Sequence, residues 1–182
     1  YGWLQDDLAF IEANASTVIT YPLPATETAK YNLEVARDRV ARIQPPYVVP
    51  ASAYRDPAVF PGTVPATATV ISKAFQFDLR FKDHSYLRMS VPPRNWKATG
   101  LYAPPNQIVT VTVGSASASE LKDVYLRIGS QTDQLSPTSS NVSGGNFLRY
   151  PSVSMAVNLL PGENLIRSPY GGAIIFQSNV SV

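Results

Sequence analysis

Phe75, Phe77, Leu79 and Phe81 alternate with Gln76, Asp78, Arg80 and Lys82. Successive side chains of a strand point to opposite faces, so this pattern gives a strand one apolar face and one wet face. A helix would scatter the same four apolar side chains around its circumference. Further strands are expected at Thr67–Ile71, Tyr86–Met89, Ile108–Val113, Asp123–Ile128, Ser152–Leu159, Asn164–Arg167 and Ala173–Gln177. Turn residues fall between them at Pro92-Pro93, Pro104-Pro105-Asn106, Gly144-Gly145-Asn146, Pro161-Gly162 and Gly171-Gly172. Short strands at near-regular spacing, with no helix between them, predict an antiparallel β-sandwich of jelly-roll kind over residues 67–182.

The first 45 residues read differently. Leu4, Leu8 and Ile11 fit a short helix, and Ala29, Leu33, Ala36, Val40 and Ile43 fall on one face of a second. Its other face holds Lys30, Glu34, Asp38 and Arg42, opposite charges one turn apart. Thr26 suits the N-cap, and Pro45-Pro46 stops the helix. Residues 46–66 carry Pro46, Pro50, Pro57, Pro61 and Pro65, a spacing that forbids both helix and central strand. Tyr47, Val48, Val49, Tyr54, Val59 and Phe60 make this segment a packed strap rather than a free linker. The expected fold is therefore mainly β with an N-terminal helical segment (1–45), a Pro-rich strap (46–66) and a sandwich (67–182).

A chain of 182 residues is long enough to bury one real core. Hydrophobic residues make up 45% and charged residues 15%, and no run of eighteen apolar residues exists, so no membrane span is expected. Asp6, Asp7 and Glu12 rule out a signal peptide in the first twenty residues, which a secreted precursor would already have lost. A net charge of +2, without a basic cluster interleaved with aromatics, argues against nucleic acid. The absence of cysteine removes disulfides, iron–sulfur clusters and thiol chemistry. Asn14, Asn141 and Asn179 each begin an Asn-x-Ser sequon, which suits a secreted or extracellular protein. Such triplets also arise by chance in a Ser-rich chain; Asn141, in the polar stretch Ser136–Gly145, is the best acceptor.

Three segments stand out: Ala98-Thr-Gly-Leu-Tyr-Ala-Pro-Pro105, Leu126-Arg-Ile-Gly-Ser-Gln-Thr-Asp-Gln-Leu135 and Asn164-Leu-Ile-Arg-Ser-Pro-Tyr-Gly-Gly-Ala-Ile-Ile-Phe176. Their order and spacing resemble the β-rich front half of the enhancin-like (mucin-degrading, gluzincin) zinc metallopeptidases. Trp96, Thr99, Gly100, Leu101, Tyr102 and Pro104 fit the family's first pattern. Ile128, Gly129, Thr132, Asp133 and Leu135 fit the second, and Ser168 through Gly172 the third. Ser130 and Gln131 depart from it, standing where the family often carries cysteine and histidine. The resemblance implies a β-sandwich, glycoprotein or mucin-type substrates, and zinc in a separate catalytic domain.

That family cuts peptide bonds with a His-Glu-x-x-His helix, whose histidines bind zinc and whose glutamate is the base. This chain has a single histidine, His84, and no cysteine. A catalytic zinc needs three protein ligands, so no catalytic, cofactor-binding or metal-binding residue is expected here. The chain reads as a non-catalytic piece, ending where the family's catalytic part would begin. Its expected partner is a C-terminal protease domain, or a glycan or glycoprotein. The alternative is a secreted, lectin-like glycan-binding module, and a third reading is a purely structural domain.

Asp133, Tyr170, Gly171 and Gly172 are the candidate contacts with a ligand or a second domain. Asp133 suits a sugar or a metal-ordering role, and equally an Asx turn. The glycines permit positive φ or close approach of another backbone, either along a substrate groove or under a second domain. Tyr170 offers ring stacking and a hydroxyl. Trp96, Tyr102 and Tyr150 would form a sugar platform if exposed together, although a sandwich core also needs such residues. His84 with Asp83, Asp78 and Asp133 would bind a cation only if folding joined them. An exposed apolar patch at Ile174–Phe176 would point to a missing partner domain.

Overall fold

The computed structural model describes residues 6, 10, 23–24, 42, 58, 60–78, 95–132, 146–147 and 152–178. Within them the chain forms eight strands: β1 (Leu23–Pro24), β2 (Asn95–Ala103), β3 (Ile108–Val113), β4 (Val124–Ile128), β5 (Asn146–Phe147), β6 (Met155–Asn158), β7 (Gly162–Arg167) and β8 (Gly172–Ser178). A four-stranded antiparallel sheet runs in the order β2-β8-β4-β6, β3 pairs with β7, and β1 with β5. The core lies between the first two sheets. Leu126, Ile128, Ile174 and Ala103 of the larger sheet meet Ile166 of β7, flanked by Val109, Val111 and Val113 of β3. This is the antiparallel sandwich expected from the alternating sequence.

The two sheets reach that core by different sequence routes. Along β3, Ile108, Thr110 and Thr112 are exposed while Val109, Val111 and Val113 are half-buried, the alternation of a strand with one wet face. In β4, Leu126 and Ile128 are fully buried, and Arg127 between them is only 9% exposed. Both faces of the larger sheet are thus covered around β4. On its outer face the Arg127 guanidinium lies 5.0 Å over the Trp96 ring and donates to Gln177 Oε1 at 3.0 Å and Ser154 Oγ at 3.0 Å. Arg42 adds a second guanidinium, donating to the carbonyls of Ser154 at 2.8 Å and Ser152 at 2.6 Å.

Side-chain amides and a hydroxyl fasten the connections. Asn164 Oδ1 accepts from the Leu160 amide at 2.9 Å while its Nδ2 donates to the Leu160 carbonyl at 2.9 Å, closing the turn into β7. Asn158 Nδ2 donates to the carbonyls of Leu121 and Val124, each at 2.8 Å. Before β4, the Ser117 amide and hydroxyl both donate to Glu120 Oε2 at 2.7 Å, which holds that exposed carboxyl below its ordinary pKa.

The strand expectations divide cleanly. β3 occupies its expected residues, and β4, β6, β7 and β8 fall within one to three residues of theirs. β2 is an addition. Its register breaks between Ala98 and Tyr102 at Gly100 (φ 74°) without changing the face those two share. Lys97 stands on the same face as Ala103 while Trp96 and Tyr102 take the other, so no apolar period is visible. Thr67–Ile71 is not a strand: it is exposed and joins no ladder. Phe75 and Phe77 keep their alternation without a ladder; both are half-buried while Gln76 and Asp78 are exposed. The two rings stack at 5.4 Å and rest on Phe176 of β8 at 6.4 and 5.3 Å. Leu79, Phe81, the Tyr86–Met89 strand and most of the helical segment lie outside the described residues; Asp6, Phe10 and Arg42 have helical backbone. From the strap, Phe60 packs against Val153 and Tyr170.

Truncating the centre of this core has a calculable effect. Leu126 is 0% exposed, so Leu126→Ala should cost about 3 kcal/mol in a urea titration, whereas Thr112→Ala on the wet face of β3 should stay within about 0.5 kcal/mol.

Candidate functional site

The three motif segments, far apart in sequence, meet at one end of the sandwich. The end of β2 continues into Ala103-Pro104-Pro105, β4 ends at Gly129, and the turn Ser168–Gly172 leads into β8. Gly171 (φ 67°) lies so close to this β2 end that an added Cβ would strike the Ala103 carbonyl and come within 2.8 Å of Pro105 N and 2.9 Å of Pro104 C. Gly172 (φ 134°) sits on Gly129: a Cβ there would be 2.8 Å from Gly129 Cα and 2.9 Å from its nitrogen. Gly129 (φ 88°) in turn faces Ser154, whose Cβ would be 2.8 Å from an added one. Real Cβ atoms do not tolerate such contacts with backbone, so Gly171 and Gly172 must be glycine, while a side chain at Gly129 would collide with Ser154.

Hydrogen bonds complete the junction. The Asn106 amide donates to the Ser168 carbonyl at 2.9 Å, and the Gly171 amide to Ser168 Oγ at 3.2 Å. The Gly129 amide donates to the Ala173 carbonyl at 2.9 Å. Thr99, buried beside the β2 irregularity, donates from Oγ1 to the Ile174 carbonyl at 2.7 Å and accepts the Leu101 amide at 3.0 Å. Its hydroxyl therefore bridges the stretch where the β2–β8 ladder lapses. Tyr102, at the rim, donates its hydroxyl to the Gly62 carbonyl, and burial of the phenol raises its pKa above the ordinary value.

The sequence candidates fall in different places. Tyr170 is 1% exposed and packs with Val153 and Phe60, so its ring faces the interior. Gly171 and Gly172 do make close backbone approaches, and the backbone they approach belongs to this same chain. Trp96 and Tyr102 pair with Gln177 and Ala173, at opposite ends of the β2–β8 ladder, and share no platform. Asp133, His84, Asp83, Tyr150, Asn14, Asn141 and Asn179 lie outside the described residues, and Asp78 is exposed. Ser130 is exposed and Gln131 half-buried; the Gln131 carbonyl accepts from Ser154 Oγ. Ile174 and Ile175 are buried and Phe176 is covered by Phe75 and Phe77, so the apolar patch that would indicate a missing partner is not found there. Among the described residues, no three His, Cys, Asp or Glu side chains group as a metal site.

Two features escaped the sequence reading. Arg127 organises the outer sheet face, and its signal was a lone arginine inside the apolar strand Val124-Tyr-Leu-Arg-Ile128. Thr99 stood out only as a residue of the first family pattern, and its bridging role left no local signal, because a threonine in a strand needs no special role.

The glycines rank by what surrounds them. Gly171→Ala and Gly172→Ala should each cost roughly 3 kcal/mol or more, since positive φ is joined by backbone collision. Gly100→Ala, with positive φ and open space, should cost about 1–2 kcal/mol, and Gly114→Ala should be close to neutral. Denaturant midpoints of the four variants check the order.

The comparisons with known proteins bear on this junction directly. Residues 80–180 match the family described as the N-terminal domain of M60-like peptidases. No curated protein and no solved structure matches the chain. The matched span contains β2 through β8 and every contact of the motif junction except that from Tyr102 to Gly62. By this match over more than half its length, the chain belongs to the M60-like peptidase family, as its N-terminal domain.

Proposed function

We propose that this domain is a non-catalytic support of an enhancin-like zinc metallopeptidase that acts on glycoproteins. In this reading it scaffolds a C-terminal protease domain, its loops contribute to the substrate groove, and the protein works outside the cell. Zinc in this reading belongs to the protease domain, in keeping with a chain that has one histidine and no cysteine where a catalytic zinc needs three protein ligands. No catalytic step is assigned to this chain.

The observation that carries the reading is what the family-pattern residues do. Gly129, Ser168, Tyr170, Gly171 and Gly172 are occupied with locking the sandwich on itself. A rigid, locked support is what a neighbouring catalytic domain needs to hold its groove in shape. The glycan-binding alternative gains no comparable support from the described aromatics, since Tyr170 is buried and Trp96 and Tyr102 are separated.

The test is the full-length peptidase compared with its catalytic domain expressed alone. The isolated catalytic domain should melt several degrees lower and lose most of its cleavage of a mucin-type glycoprotein, and the present chain alone should cleave nothing with zinc added. Unchanged stability and activity without this domain, together with specific binding of the domain to a glycan array, would instead establish the lectin-like module.

A further inference from the structure

Residues 65–74 form the longest continuously exposed stretch among the described residues. Val70 is 96% exposed and Ile71 59%, although both are residue types that normally seek burial. From Ala68 to Ala74 the backbone belongs to no helix, strand or turn, and the one backbone hydrogen bond within 65–74 runs from the Ala68 amide to the Pro65 carbonyl, at 2.9 Å. Lys73 lies over the Phe75 ring at 5.1 Å and is itself exposed.

Such a stretch has the form an endopeptidase requires. Protease clefts take substrates as extended chains, pairing with their free amides and carbonyls as an added strand does. A chain already exposed, and free of ladder bonds, meets that requirement with little local unfolding. Both flanks are meanwhile fixed to the sandwich. On one side Phe60 packs on Val153 and Tyr170, and the Gly62 carbonyl holds the Tyr102 hydroxyl. On the other, Phe75 and Phe77 rest on Phe176.

We propose that residues 65–74 are an endoproteolytic processing site, cut between Lys73 and Ala74 by a protease that accepts a basic residue, with both products remaining on the sandwich. Water supplies the hydroxyl to the Lys73 carbonyl carbon and the proton to the Ala74 nitrogen as the peptide C–N bond breaks. The cut separates the N-terminal region from the sandwich covalently while leaving the packing at both flanks in place.

Trypsin at low ratio to the native chain is the probe, read by intact mass, terminal sequencing and gel filtration. The first product should begin at Ala74, and both pieces should elute in one peak that splits only in denaturant. Lys73→Gln should slow the first cut at least tenfold without shifting the melting temperature, while an elastase-type protease still cuts first within 65–74. A first tryptic cut elsewhere, an unchanged rate in Lys73→Gln, or separation of the pieces under native conditions would each overturn the proposal.

Discussion

The close approach of backbones at Gly171 and Gly172 is the constraint on which the rest of the domain depends. Gly171 presses against the end of β2 and Gly172 against the end of β4, so one turn sets the spacing of the outer strand and the central one. β8 lies between β2 and β4 in the sheet, and the position where it begins fixes the register of both its ladders. Ser168 serves the same junction with two groups, accepting the Asn106 amide at its carbonyl and the Gly171 amide at its hydroxyl. Any side chain at the two glycines would force these elements apart.

From that junction the larger sheet acquires two buried faces. The inner face builds the apolar core with β3 and β7, while the outer face carries Arg127 across Trp96 and onto Gln177 and Ser154. Burying a guanidinium is costly unless its donors are satisfied, and here several acceptors converge on it. Arg42 reaches the Ser152 and Ser154 carbonyls beside this network, so the segment before the sandwich is tied to the outer face. Among the described residues before the sandwich, Arg42 is held by these polar contacts and Phe60 by apolar packing on Val153 and Tyr170.

Much of the fold was legible because local pattern and tertiary role agreed. The threonine–valine alternation in Ile108–Val113 is a strand with one wet face, and the structure uses it so. Legibility failed where tertiary geometry intervened. In β2 the core-side face holds Lys97 together with Ala103 while Trp96 and Tyr102 take the other face, which erases the apolar period that would have revealed a strand. Thr67–Ile71 has the β-branched composition of a strand but joins no ladder, and propensity alone does not supply a partner. For the candidate site, the two glycines were read as positions of positive φ or close approach to a ligand groove or second domain, and both have positive φ beside backbone of this same chain. Whose backbone would approach is not written in a local sequence, because it depends on how distant strands meet. The same limit applies to Tyr170, whose aromatic ring suits a surface contact and an interior one equally well.

The central claim is that the family motifs form an internal lock, and amide hydrogen exchange of the native chain tests it most directly. The amides of Asn106, Gly129 and Gly171 should exchange only through global unfolding, with the same protection free energy as the amides of β4. Exchange at those three positions through local opening, well ahead of β4, would contradict it and return the motif segments to the class of mobile, ligand-facing loops.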